Sequence, residues 1–135
     1  GVSSHIPYRI EVDNVVYAAT HDNNTTRGWY RQEADDLTRR QLSDLCGFEV
    51  GEHNVAWALT RLAWLSPGFL AMATAQDLLN LDERARFNTP GTAQGNWAWR
   101  LKDPNVFSDE MADKIAELGA RAGRDNLKHP NSLTY

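Results

Sequence analysis

The sequence holds a single cysteine, Cys46, so no internal disulfide can staple the chain. The thiol sits at the apparent end of a helix beside Gly47 with no base nearby, which reads as a small buried side chain and not a nucleophile. That usage fits a reducing, cytoplasmic setting. Positive charge is also scarce. With 14 Lys and Arg against 18 Asp and Glu, a net charge of -4 and no basic run, the chain has no footprint for a nucleic-acid backbone. Long apolar runs are missing as well: Val55 to Leu65 is broken by Arg61 and falls short of the ~20 residues that span a bilayer, so no membrane is expected as a partner. The start, Gly1 to His5, is polar and leads into no hydrophobic segment, unlike a signal peptide. No glycine-rich phosphate loop occurs. His21 adjoins Asp22 but has no second histidine at ligand spacing, and His5, His53 and His129 are scattered without a Cys or carboxylate companion set, so neither a metal nor another cofactor is expected.

What remains is an ordinary globular composition, 41% apolar, which argues against disorder and for one domain-sized unit. The five tryptophans are an excess, and Trp97 and Trp99 flank one alanine. Flat aromatic faces serve sugar binding, and they serve a core equally well; composition leaves both open.

Residues 14–20, NVVYAAT, form a short apolar run rich in β-branched and aromatic residues, expected to be a strand buried on both faces. It stops at His21, Asp22, Asn23, Asn24, Thr25 and Thr26, a polar loop that cannot be buried without hydrogen-bond partners. A surface helix is expected from Glu33 to Leu45, with Leu37, Leu42 and Leu45 as its apolar stripe and Gly47 as its stop. The segment from Val55 to Leu65 has almost no polar face and should be sandwiched between other elements until Ser66-Pro67-Gly68 ends it. Phe69 to Thr74 is a second short apolar run, again followed by a polar step, Gln76-Asp77. Strand, polar loop, helices, strand, polar loop is the order of βαβ units with parallel strands. Two such strands are too few to stand alone, so they belong to a larger sheet or barrel. From Asp82 to Leu101 a long ordered loop is expected, and Ser108 should cap a last helix through Met111, Ile115 and Leu118. Residues 125–135 lack periodicity.

In sheets and barrels of parallel strands, ligands bind at the carboxyl ends, which is where His21-Asp22 and Gln76-Asp77 fall. Spacing alone leaves a second reading open, in which Asp22 caps the next turn and His21 is a satisfied rim residue.

Two stretches carry a resemblance. Residues 15–29, VVYAATHDNNTTRGW, and residues 75–101, AQDLLNLDERARFNTPGTAQGNWAWRL, resemble blocks of the amylomaltases and disproportionating enzymes, glycoside hydrolase family 77. The resemblance covers most of the chain and is weak over Gly1 to Asp13 and after Asp125. It implies an α/β fold: the C-terminal fragment of a (β/α)8 TIM barrel, two short parallel strands with predominantly helical content, comprising the last two βα units plus a C-terminal helix. It further implies a retaining 4-alpha-glucanotransferase acting on α-1,4-glucans or maltooligosaccharides. In such an enzyme the two carboxyl groups lie ~5 Å apart, and by resemblance both sit on earlier strands. Asp22 would then grip ring hydroxyls of the reacting glucose and favour the oxocarbenium-like transition state, with His21 bonding the same sugar. Asn23, Asn88, Pro90 and Gly91 would contact substrate at the groove wall. Gln76 and Asp77 belong to the motif either as contacts or as packing residues, and Arg86, Trp97 and Trp99 as residues that pin the loop against the barrel. Ala19, Asn24, Arg27 and Phe87 depart from the family's usual glycine, aspartate, leucine and methionine. The remainder of the barrel is the implied partner. These residues alone are expected to be inactive and to self-associate through uncovered strand flanks. The alternative is a non-catalytic carbohydrate-binding or interaction module derived from such a barrel.

Overall fold

A computed structural model describes residues 15–17, 23–66 and 70–124. Its order is β1 (Val15–Tyr17), α1 (Thr26–Gln32), α2 (Asp36–Cys46), α3 (Val55–Leu65), β2 (Leu70–Met72), α4 (Ala75–Leu78) and α5 (Asp109–Arg121), with 3-10 turns at Glu83–Ala85 and Pro104–Val106. β1 and β2 pair in parallel, Val15 opposite Leu70, Val16 opposite Ala71 and Tyr17 opposite Met72. The two apolar runs are therefore neighbouring strands whose carboxyl ends lie side by side, as their patterning required.

Helix starts are written in the sequence as short polar side chains. Thr25, Asp35, Thr74 and Ser108 each accept a backbone N–H from the first turn of α1, α2, α4 and α5. Such caps contribute about 1 kcal/mol apiece. α2 ends where Gly47 takes a left-handed φ of 76°, a conformation that costs glycine least.

α3 is the hub. Val55, Ala56, Ala58, Thr60 and Ala63 are buried on it, and it packs against α1, α4, α5 and both strands. A fully buried valine such as Val55 contributes roughly 2 kcal/mol. Small alanines let neighbouring backbones approach this helix closely. The core cluster of Tyr30, Val50, Val55 and Ala58 is joined by Trp29, Ala34, Leu42, Cys46 and Leu59. Tyr30 donates its hydroxyl to the Val50 carbonyl at 2.9 Å, so the ring's polar tip is satisfied inside the cluster. On the other flank the Lys114 ammonium lies 4.0 Å from the Trp57 ring centroid, tying α5 to α3. Arg124 donates to the carbonyls of Trp64 and Ser66 at 2.7 and 2.9 Å, closing the C-terminal end of α3.

Two expectations need correction. The helix expected over Glu33 to Leu45 forms as α2, Asp36–Cys46, but a further helix precedes it: α1 begins inside the stretch expected to be a polar loop. The stripe of Leu37, Leu42 and Leu45 is not a buried face: Leu42 reaches the core, while Leu37 and Leu45 are 62% and 52% exposed. Cys46 behaves as expected, packed against the core, with burial pushing its thiol up and Arg61 pulling weakly the other way. Among the described residues no helix is long and apolar enough to cross a membrane.

Candidate functional site

Beyond β1 the described chain resumes at Asn23, and from Asn24 to Thr26 it is polar and yet buried. Asn24, Thr25 and Thr26 are 8%, 5% and 3% exposed. Each makes at least one hydrogen bond, while Asn24 Oδ1 has no partner among the described residues. The Asn24 amide donates to Gln32 Oε1 at 3.1 Å, and Thr25 Oγ1 accepts the Gly28 N–H at 3.1 Å. Thr26 turns to the other strand's loop: its N–H donates to Asp77 Oδ1 at 3.0 Å and its hydroxyl to Asp77 Oδ2 at 2.7 Å.

Asp77 and its neighbour Gln76 open α4, directly after β2, and are buried to 3% and 4% exposure. Burial raises the Asp77 carboxyl above its usual value, and the two Thr26 bonds oppose that rise by favouring the carboxylate. Both Asp77 oxygens accept from Thr26, which ties the start of α4 to the start of α1. Gln76 donates its amide to the Ala85 carbonyl at 3.3 Å, anchoring the 3-10 turn that leads into the next loop. That turn also meets α1. A methyl group on Gly28 would stand 2.4 Å from Asn24 Oδ1 and 2.8 Å from the Glu83 nitrogen, so glycine is needed for the close approach. Arg31 pairs with Glu83 across the same contact.

The loop beyond closes on itself. Thr92 N–H donates to the Thr89 carbonyl at 3.2 Å, with Pro90 second and Gly91 third at φ 83°, the residues and sign that a type II turn demands. Asn96 ties the turn from behind, accepting the Thr89 N–H at 2.9 Å and donating to the Thr92 carbonyl at 3.0 Å. The Trp97 N–H reaches the Phe87 carbonyl at 2.6 Å, and Trp97 itself sits at φ 61°, a strained value for a bulky residue. Phe87 stacks on Trp97 at 5.9 Å and receives the edge of Trp99 at 5.7 Å. These ring contacts tie the two ends of the loop to each other. The Asn88 carbonyl accepts Arg86 Nε at 2.8 Å.

Of the sequence-derived site residues, His21 and Asp22 lie outside the described residues. Asn23 is exposed at the start of the buried Asn24 to Thr26 stretch, Asn88 is half-buried, and Pro90 and Gly91 are exposed at the turn. Three of the family departures have local roles: Asn24 in the α1 cluster, Arg27 donating to the Asn80 carbonyl at 3.3 Å, and Phe87 between the two tryptophans. Among the described residues no group of His, Cys, Asp and Glu is arranged to hold a metal. Sequence reasoning missed Thr26, Gly28 and Asn96. For Asn96 the signal was present, since an amide closing a Pro-Gly turn is a common device.

Residues 2–106 match the family model described as 4-alpha-glucanotransferase, glycoside hydrolase family 77. The chain is 45% identical over 100 residues to the 4-alpha-glucanotransferase of Streptococcus pneumoniae serotype 4, covering 74% of this chain and 20% of that protein. It is 37% identical over 119 residues to the 4-alpha-glucanotransferase of Aquifex aeolicus, covering 88% of this chain and 24% of the other. Its fold superposes on the amylomaltase of Streptococcus agalactiae, solved with acarbose, at a TM-score of 0.82 and 22% identity, covering 92% of this chain and 24% of that one. The chain therefore spans between a fifth and a quarter of the length of these relatives. On the family match over residues 2–106 and these identities, the chain belongs to the 4-alpha-glucanotransferase family, glycoside hydrolase family 77.

Proposed function

We propose that this chain forms the closing part of the catalytic barrel of a cytoplasmic 4-alpha-glucanotransferase, contributing its last two βα units and the following helix. The enzyme transfers α-1,4-glucan segments to an acceptor glucan or glucose. One observation carries the reading: the parallel register of β1 and β2 sets their carboxyl ends side by side, and the chain beyond each strand holds a buried polar cluster, Asn24 to Thr26 beyond β1 and Gln76-Asp77 beyond β2. A ligand site in such a fold belongs at that edge.

Asp22 and His21 immediately precede the cluster after β1. Asp22 is the transition-state residue: its carboxylate accepts hydroxyls of the glucose under attack and gains strength as positive charge develops on the ring. His21 bonds the same sugar. Asn23 and the Asn88-Pro90-Gly91 turn line the groove. Nucleophile and acid/base come from the rest of the barrel, the partner this segment requires, and the product keeps the anomeric configuration of the donor. No metal or cofactor enters the reaction.

The test is Asp22→Asn in the complete enzyme with maltotriose as donor and acceptor. Expected is a fall in kcat of ~100-fold or more with KM little changed, the pattern of a contact made mainly in the transition state. Unaltered kcat would remove Asp22 from the site.

A further inference from the structure

The buried pair Gln76-Asp77 opens a one-turn helix, and its two side chains leave α4 for different elements. Asp77 stands at the third position after the Thr74 cap, whose hydroxyl accepts the Asp77 N–H at 3.2 Å. A carboxylate there commonly turns back to its own cap residue. Asp77 instead crosses to the first residue of α1, 51 positions earlier, and gives one oxygen to the Thr26 backbone and the other to its hydroxyl. Gln76 crosses to the Ala85 carbonyl at the end of the 3-10 turn. Gly28 against Glu83 closes the triangle, so α1, α4 and the 3-10 turn meet through three buried contacts.

Each corner leads into a proposed groove wall. Three residues before Thr26 is Asn23, and three residues after Ala85 is Asn88. We infer that Gln76 and Asp77 are positioning residues that fix the spacing between the two walls of the glucan groove, Asp77 through Thr26 and Gln76 through Ala85. This rests on the reading that Asn23 and the Asn88 to Gly91 turn line that groove. Neither side chain touches substrate. Each works by holding a loop start where one ångström of drift weakens transition-state contacts more than ground-state binding.

The geometry sets the expectations. Asp77→Asn keeps the volume and one acceptor oxygen for the Thr26 N–H, but removes the charge and turns an amide donor toward the Thr26 hydroxyl, so two charge-assisted bonds become weaker neutral ones. Thr26→Val removes the hydroxyl and keeps the shape, and Thr26→Ser keeps the hydroxyl. In the complete enzyme with maltotriose, Asp77→Asn and Thr26→Val should each lower kcat between ~10-fold and ~100-fold while KM moves by less than about three-fold. The double variant should lose less than the product of the two single losses, because both weaken the same link. Thr26→Ser should recover most of the activity lost in Thr26→Val. Folding is controlled by near-ultraviolet circular dichroism and by thermal melting of each variant.

Wild-type kcat in folded Asp77→Asn overturns the inference. So does a double variant whose losses simply multiply, or a loss in kcat matched by an equal loss of folded protein. Asp22→Asn run beside them separates this inference from the reading beneath it. If Asp22→Asn is inactive and Asp77→Asn is not, only the positioning role falls; if Asp22→Asn is fully active, the groove itself has been misplaced.

Discussion

The two regions that flank the proposed groove are built by opposite means. Around α1, α4 and the 3-10 turn, polar groups are buried and bonded from one element to another, Thr26 to Asp77 51 residues on and Gln76 to Ala85. In the loop from Phe87 to Trp97 the groups are mostly exposed and bond locally, Thr89 with Thr92 and Asn96. A buried network fails expensively when one member is lost, because the others stay desolvated. An exposed loop that ties itself together loses only its own shape, since water replaces each missing bond. The first region therefore sets stability and alignment, and the second is free to serve recognition.

The sharpest way to break this contrast is a pair of glycine substitutions. Gly28→Ala places a methyl group against the Glu83 backbone and Asn24, and should cost ~1–3 kcal/mol, read as a fall in melting temperature with reduced activity. Gly91→Ala meets nothing within 4 Å and bears only the strain of a positive φ, about 1 kcal/mol confined to the turn. Equal losses of melting temperature would erase the distinction. Asn96→Ala comes next. It removes the ties to Thr89 and Thr92, and should raise KM for maltotriose several-fold while global stability shifts by less than about 0.5 kcal/mol. A collapse in melting temperature instead would make the loop part of the core.

The smallest effect expected concerns pH. Hydrogen bonds from the Arg84 side chain, with backbone and charge effects behind them, hold the Asp82 carboxyl down at about 2 against the ordinary 3.8. A depressed carboxyl stabilises the fold above 3.8, and that contribution is lost as pH falls through about 2. Asp77 runs the other way: with its carboxyl raised, the burden of its charge grows as pH climbs past 3.8. Asp82→Asn should thus flatten the acid side of a melting-temperature profile slightly, and high salt should shrink the difference further because Arg84 is exposed. An unchanged acid limb would leave the Asp82 pair without a measurable role.

How much of this was legible in the sequence follows from how local each cause is. β1, β2 and α3 announce themselves through apolar runs, and α5 through its Ser108 cap and the spacing of Met111, Ile115 and Leu118. The loop's form was legible in Pro90-Gly91 and its paired tryptophans. The start of α1 was not, because Thr25 and Thr26 look like loop until their partner is known, and that partner lies 51 residues on. For the same reason Asp77 read as a site residue of undecided role. Leu37 and Leu45 mislead in the opposite sense: their spacing with Leu42 imitates a buried face, and only the packing of α2 shows which leucine reaches the core.

A crystal structure of the complete enzyme soaked with a maltooligosaccharide tests the placement of the groove most directly. One glucose ring should lie within hydrogen-bonding distance of Asp22 and His21, with the Asn88 to Gly91 turn along the same glucan chain. Sugar bound elsewhere on the barrel, with Asp22 and that turn both bare, would contradict it.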